Sequence, residues 1–169
     1  MVERPRLCFG PWREIVCNGL ASPVRVIRDL NADLAIGQVR PSAAATQPWW
    51  RFWSPLHGLE VCETDDLALL LTLRPSRLSK GLWILRDCDD NEVGKLRGDE
   101  LLDPWSQPFA RRFALGGDAW QMRELDGRAY ATWSMSPEGD ILAFHDQELT
   151  NPFVRMLVLG SFLLMRKPS

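Results

Sequence analysis

The thirteen residues Phe153–Met165, FVRMLVLGSFLLM, constrain this chain most. They are apolar on all sides of a helix and not along one stripe, and a helix of that kind must be surrounded, by protein or by lipid. As a helix the segment spans about 20 Å, whereas a bilayer core asks for ~20 apolar residues. Protein is therefore the expected wrapping. Asn151-Pro152 supplies a helix cap and a first helical residue. Arg155 falls in the first turn, within reach of water, and Arg166 and Lys167 suit the negative end of the helix dipole. The pattern predicts a helix over 152–166 with Leu159 facing the interior.

The wrapping is readable upstream. Runs of β-branched and apolar residues broken by Gly, Pro, Asn and Asp mark strands. The clearest are 24–28, 34–40, 67–74, 82–86, 92–97, 119–125, 128–134 and 141–145, with 58–63 and 112–115 as weaker candidates. Asp126-Gly127 reads as a tight hairpin turn and 136–140, SPEGD, as a reverse turn with proline where its fixed φ fits. Three hairpins resemble one another: VRVIRDLNADLAIGQVR (24–40), LWILRDCDDNEVGKLR (82–97) and WQMRELDGRAYATWS (120–134). In each, an apolar strand ends in arginine and an acid: Arg28-Asp29, Arg86-Asp87, Arg123-Glu124. Gly37-Gln38-Val39-Arg40 further matches Gly94-Lys95-Leu96-Arg97. Self-similarity of this kind suggests a meander built from one unit. A closed sheet removes exposed edges, and its inward face supplies one apolar residue in two. The expected fold is mainly β: a closed antiparallel barrel of about twelve strands around the C-terminal helix. Residues 1–19 are expected to be a partly irregular amino-terminal segment and 20–169 the barrel domain.

These repeated hairpins, the strand ILAFHD, the short NP cap and the terminal helix resemble the tubby C-terminal-like superfamily, with its phospholipid scramblase and LURP-one-related branches. The resemblance covers residues ~20–165, one domain's length. It implies a twelve-stranded barrel around a central helix and a non-enzymatic domain that docks on anionic phospholipid or a small ligand. The chain departs from the scramblases in lacking a cysteine-rich cluster and a proline-rich arm, and the Lys/Arg pair with which the tubby domain binds phosphoinositide has no placed counterpart. The acidic run Asp87–Glu92 lacks the glycine and glutamate spacing of a calcium loop and reads as a solvated turn.

Composition bounds the function classes. With 169 residues and a net charge of -2, the chain is one domain and not a basic nucleic-acid binder. Cys8, Cys17, Cys62 and Cys88 form no CxxC and only His57 and His145 could add nitrogen ligands, so neither a metal nor another cofactor is expected. No signal-peptide pattern opens the sequence, which predicts free, buried or half-buried thiols in a cytoplasmic protein, peripheral at a membrane if it meets lipid.

Two groups of residues are candidate lipid or ligand contacts. Trp49, Trp50, Arg51 and Trp53 sit in the run WWRFW between Pro48 and Pro55; amphipathic rings favour a membrane interface, while the alternative is packing in the barrel wall. Arg111 and Arg112 make a small basic spot, worth only ~1 kcal/mol per charge at an anionic surface; the alternative is a solvated strand start. A protein–protein docking domain is the second function class. A hydrolase-type enzyme is the third, with His57, His145, Ser54, Ser136 and Cys62 as possible participants, although no nucleophile elbow occurs.

Overall fold

The computed structural model describes residues 6–17, 20–42, 58–136, 139–145 and 151–165. Among the described residues thirteen strands precede one helix: β1 (Arg6–Phe9), β2 (Arg13–Cys17), β3 (Leu20–Asp29), β4 (Leu34–Pro41), β5 (Leu59–Glu63), β6 (Leu69–Pro75), β7 (Leu82–Asp87), β8 (Glu92–Arg97), β9 (Glu100–Leu102), β10 (Pro108–Gly116), β11 (Ala119–Glu124), β12 (Ala129–Ser136), β13 (Gly139–Phe144) and α1 (Pro152–Met165). From β3 to β13 each strand pairs antiparallel with the next. β1 then pairs with β13 on one side and β3 on the other, Cys8 lying opposite both Ile141 and Arg28. The ring therefore closes with twelve strands. β2 stays outside it, paired only with the first half of β3. The barrel thus begins at Arg6 and not at residue 20: β1 supplies the last strand of the ring, too short a run, RLCF, to stand out by periodicity.

The three similar hairpins are β3–β4, β7–β8 and β11–β12, and they share one irregularity. The ladder shifts by a residue between Ile27 and Arg28, between Leu85 and Arg86, and between Met122 and Arg123. The arginine–acid signature thus marks a β-bulge, which re-aims side chains and sharpens the local twist a barrel needs. The inward residue before each bulge faces a small partner: Ile27 opposite Gly37, Leu85 opposite Gly94, Met122 opposite Ala131. At Gly94 the reason is spatial, because a Cβ there would come within 2.6 Å of the Leu102 carbonyl oxygen and 2.9 Å of Leu157 Cδ1 on the helix.

α1 fills the lumen. Asn151 caps it by accepting the Phe153 N–H at 3.0 Å on Oδ1. Leu157, Val158, Phe162 and Leu163 are buried together with Phe9, Val61, Leu73, Leu85, Leu96, Met122, Trp133 and Leu142, residues drawn from strands all around the ring. Gly160 lies against Leu73 and Leu85, and Phe162 packs its ring 4.4 Å from Phe9 and 5.9 Å from Trp133, centre to centre. Leu159 is half-buried and packed on this core. Arg155 is also half-buried, and its Nε–H has no hydrogen-bond partner among the described residues.

One charged pair lies deep in the seam. Arg25 on β3 has the parity of Ile27 and so points inward. Its Nη2 donates to Asp140 of β13 at 2.6 Å and to the Phe9 carbonyl at 3.1 Å, and its Nε donates to the Gly10 carbonyl at 2.7 Å. The guanidinium also sits 5.4 Å and 5.6 Å from the ring centres of Phe9 and Phe162. One side chain therefore ties β3, β13, the end of β1 and the helix at the place where the ring closes. Cys62 is a buried free thiol as expected and Cys8 is likewise buried, whereas Cys88 is exposed in the β7–β8 turn.

Candidate functional site

β10 separates the two arginines that the sequence placed together. Successive strand residues point to opposite faces, and Ala110 is fully buried while Arg111 is exposed. Arg111 thus stands on the outer wall, where its Nη2 donates to Glu100 at 2.6 Å. Arg97 meets the other Glu100 oxygen at 2.9 Å. The hydrogen bonds from Arg111 and Arg97 hold the Glu100 carboxyl below the usual carboxylate range. Arg112 shares the parity of Ala110 and turns inward, opposite the buried Met122.

Arg112 occupies the rim where the helix ends. That rim is made by the start of β7, the end of β8 and the start of β11, with Ser161, Leu164 and Met165 of α1 beneath. Three contacts hold the arginine. Its Nη2 donates to the Asp99 carboxylate in the short turn between β8 and β9. Its backbone N–H donates to the Asp99 carbonyl at 2.8 Å. Its guanidinium carbon lies 5.1 Å from the Trp120 ring centre, a cation–π distance. The Nε–H is buried and has no hydrogen-bond partner among the described residues.

Beside this arginine is a cavity of about 210 Å³ lined by Trp83, Leu96, Arg112, Ser161, Leu164, Met165 and two glycines of the rim, Gly81 and Gly98. A smaller space of about 20 Å³, room for a single water, lies toward Trp120, Met122, Trp133 and Phe162 and shares Arg112, Ser161 and Met165 with the first. Arg112 is the one ionisable residue among the described residues lining either space. The lining offers four apolar side chains, one hydroxyl and one fixed cation. Such a set accommodates an apolar body and an anionic group, and it holds no acid or base that could carry a proton near neutral pH.

The other sequence candidates fall elsewhere. Trp49, Trp50, Arg51 and Trp53 lie outside the described residues, as do His57 and Ser54. The residues flanking that segment, Ser42 and Gly58, are joined by a 2.9 Å backbone hydrogen bond. They sit on the rim that bears the cavity, because Pro41 pairs with Leu59, Leu59 with Leu73 and Pro75 with Trp83. His145 is on the outer wall, its Nε2 hydrogen-bonded to the Thr132 hydroxyl. Ser136 is the last residue of β12. Cys62 is buried, and burial pushes its thiol up, away from the reactive thiolate. The acidic β7–β8 turn uses its own carboxylates: Asp87 Oδ1 accepts from the Asp89 and Asn91 backbone N–H groups at 3.0 and 2.8 Å. The Asn91 side chain adds a third bond to the other oxygen and holds the Asp87 carboxyl below its usual range. No group of three or more potential metal ligands occurs among the described residues. Sequence reasoning missed Asp99, Trp83 and the helix end as parts of one site. The usable signal was parity, since Arg112 stands two residues from an alanine that must face inward.

No family model, curated protein or solved structure matches the chain. Among the described residues no helix is long and apolar enough to cross a membrane.

Proposed function

We propose that the chain is a non-enzymatic binding domain whose ligand is a small amphiphile with one anionic group, taken up at the rim cavity beside Arg112. The inward-facing Arg112 carries this reading: a guanidinium at the mouth of an apolar cavity has no role in filling the barrel, and planar bidentate recognition of carboxylate or phosphate is what arginine does best. The apolar lining with a single cation among its described residues favours binding of an amphiphile. The tubby-like resemblance supports the same class of function, and the barrel around a helix is the architecture which that resemblance implies.

A free amphiphile and a phospholipid headgroup share this chemistry, and the two arginines separate them. Octanoate titrated calorimetrically into the full chain is expected to bind more tightly than octanol, and Arg112→Gln is expected to abolish the difference. Vesicles containing phosphatidylserine test the headgroup: an outer-wall contact requires Arg111 and is lost in Arg111→Glu and at high salt. Equal affinity for octanoate and octanol would refute the proposal, whether or not vesicles bind through Arg111. A second reading, docking of a protein partner, has Phe113 and Leu115 behind it, two exposed apolar residues on the outer face of β10. A partner whose affinity is unchanged by Phe113→Ser would remove that support.

A further inference from the structure

We infer that Asp99 is a built-in competitor for the anion site: its carboxylate pairs with the Arg112 guanidinium, and the anionic group of a ligand binds by exchanging with it. This inference rests on the amphiphile reading above and assigns the residue that sets the affinity and charge selectivity of that site. The two partners are held unequally. The Asp99 side chain is 56% exposed and that of Arg112 only 19%. Arg112 keeps its place without the carboxylate, through Trp120 beneath it and the backbone bond to the Asp99 carbonyl. That backbone bond anchors the turn, so the Asp99 side chain can swing into solvent while the main chain stays. Gly98, the turn's other residue, itself lines the cavity and adopts the left-handed conformation at φ 58°. The bond therefore breaks on the solvent side and re-forms on the cavity side, with net charge at the arginine conserved. Glu100, the other nearby carboxylate, is engaged by Arg97 and Arg111 on the outer wall and does not compete.

The test is octanoate and octanol binding to the full chain, measured by calorimetry in the parent, Asp99→Asn, Asp99→Ala and Arg112→Gln. Removing a largely exposed partner is expected to tighten octanoate binding about two- to fivefold, the span such ion pairs are worth. Octanol affinity should stay unchanged in both Asp99 variants. The isosteric asparagine keeps the turn, and alanine checks that the new amide is not the cause. If the parent binds octanoate through Arg112 and both Asp99 variants bind it no more tightly, the competitor role is overturned while the binding function stands. If octanol gains as much as octanoate, the effect is one of cavity shape and the inference is again overturned. If octanoate binds neither the parent nor the Asp99 variants, the amphiphile reading itself fails, and this inference with it.

Discussion

Truncating Phe162 to alanine measures whether the barrel encloses its helix. Phe162 is 3% exposed, and its ring meets Phe9 of β1 and Trp133 of β12 at 4.4 and 5.9 Å. It also lies 5.6 Å from the Arg25 guanidinium. Its neighbours belong to a closed, hydrogen-bonded wall, which resists collapse into the space left behind. The cost should therefore lie in the range for a buried phenylalanine, ~3–5 kcal/mol. For a chain of this size each 1 kcal/mol lowers Tm by ~2–4 °C, so a drop of about 6–20 °C is expected by scanning calorimetry. Phe153→Ala is the internal control: the same substitution on the same helix, at a site 49% exposed, should cost under ~1 kcal/mol. Urea titrations followed by tryptophan fluorescence should show a lower midpoint for Phe162→Ala with an unchanged slope, since the surface exposed on unfolding stays nearly the same. If the two variants unfold within ~1 kcal/mol of each other, the helix is not held inside the wall, and the rim cavity at its end loses its floor.

Two further outcomes follow from groups buried in the barrel. Asp140→Ala leaves Arg25 charged and without its carboxylate, and should cost ~3–5 kcal/mol; the double variant Arg25→Met with Asp140→Leu should recover most of that, and a double variant no more stable than Asp140→Ala would show that the seam needs the charges themselves. Tyr130, the only tyrosine of the chain, has its phenol pushed up to about 12, first by burial and then by the charge and hydrogen bond of Glu124. A raised folded pKa means that the unfolded chain loses its proton first. The stabilising contribution is thus complete below the unfolded value of ~10 and fades as pH rises toward about 12. Tyrosinate absorbance should rise near the higher value in the folded protein, and a midpoint at the ordinary value would contradict the burial of Tyr130.

Much of the wall was legible because its signals are local. Period-two alternation located the hairpins, and Asp126-Gly127 fixed a turn in which Gly127 has φ 96°. The arginine–acid signature was visible as a repeat, but its meaning was not: that Arg28, Arg86 and Arg123 each follow a bulge depends on cross-strand register, which one strand's sequence does not contain. β9, three residues long, and β1, four, are too short to show a period. The inward arginines were hidden for a different reason. Parity predicts apolar residues on the inner face, and Arg25 is tolerated there only because Asp140, 115 positions away, meets it. Arg112 is met by Asp99 and Trp120, neither of them near it in sequence, and the cavity beside it draws on β7, β8, β10 and α1 at once. Arg111 and Arg112, adjacent in sequence, could be read as one basic spot only until the strand was given an inside and an outside.

The ring's closure by β1 has a consequence for synthesis. On the ribosome the hairpins from β3 to β12 can form one after another as they emerge, at ~5–20 residues per second. β1, however, finds its second neighbour only when β13 is complete, and the lumen is filled only once α1 is made. Until then the nascent chain is an open curved sheet with a greasy concave side and two bare edges, the state in which strands from different copies join. Messages cut short before α1 would yield hollow cylinders with nothing inside, and the cell's holding chaperones should be found on those products in preference to chains that carry it.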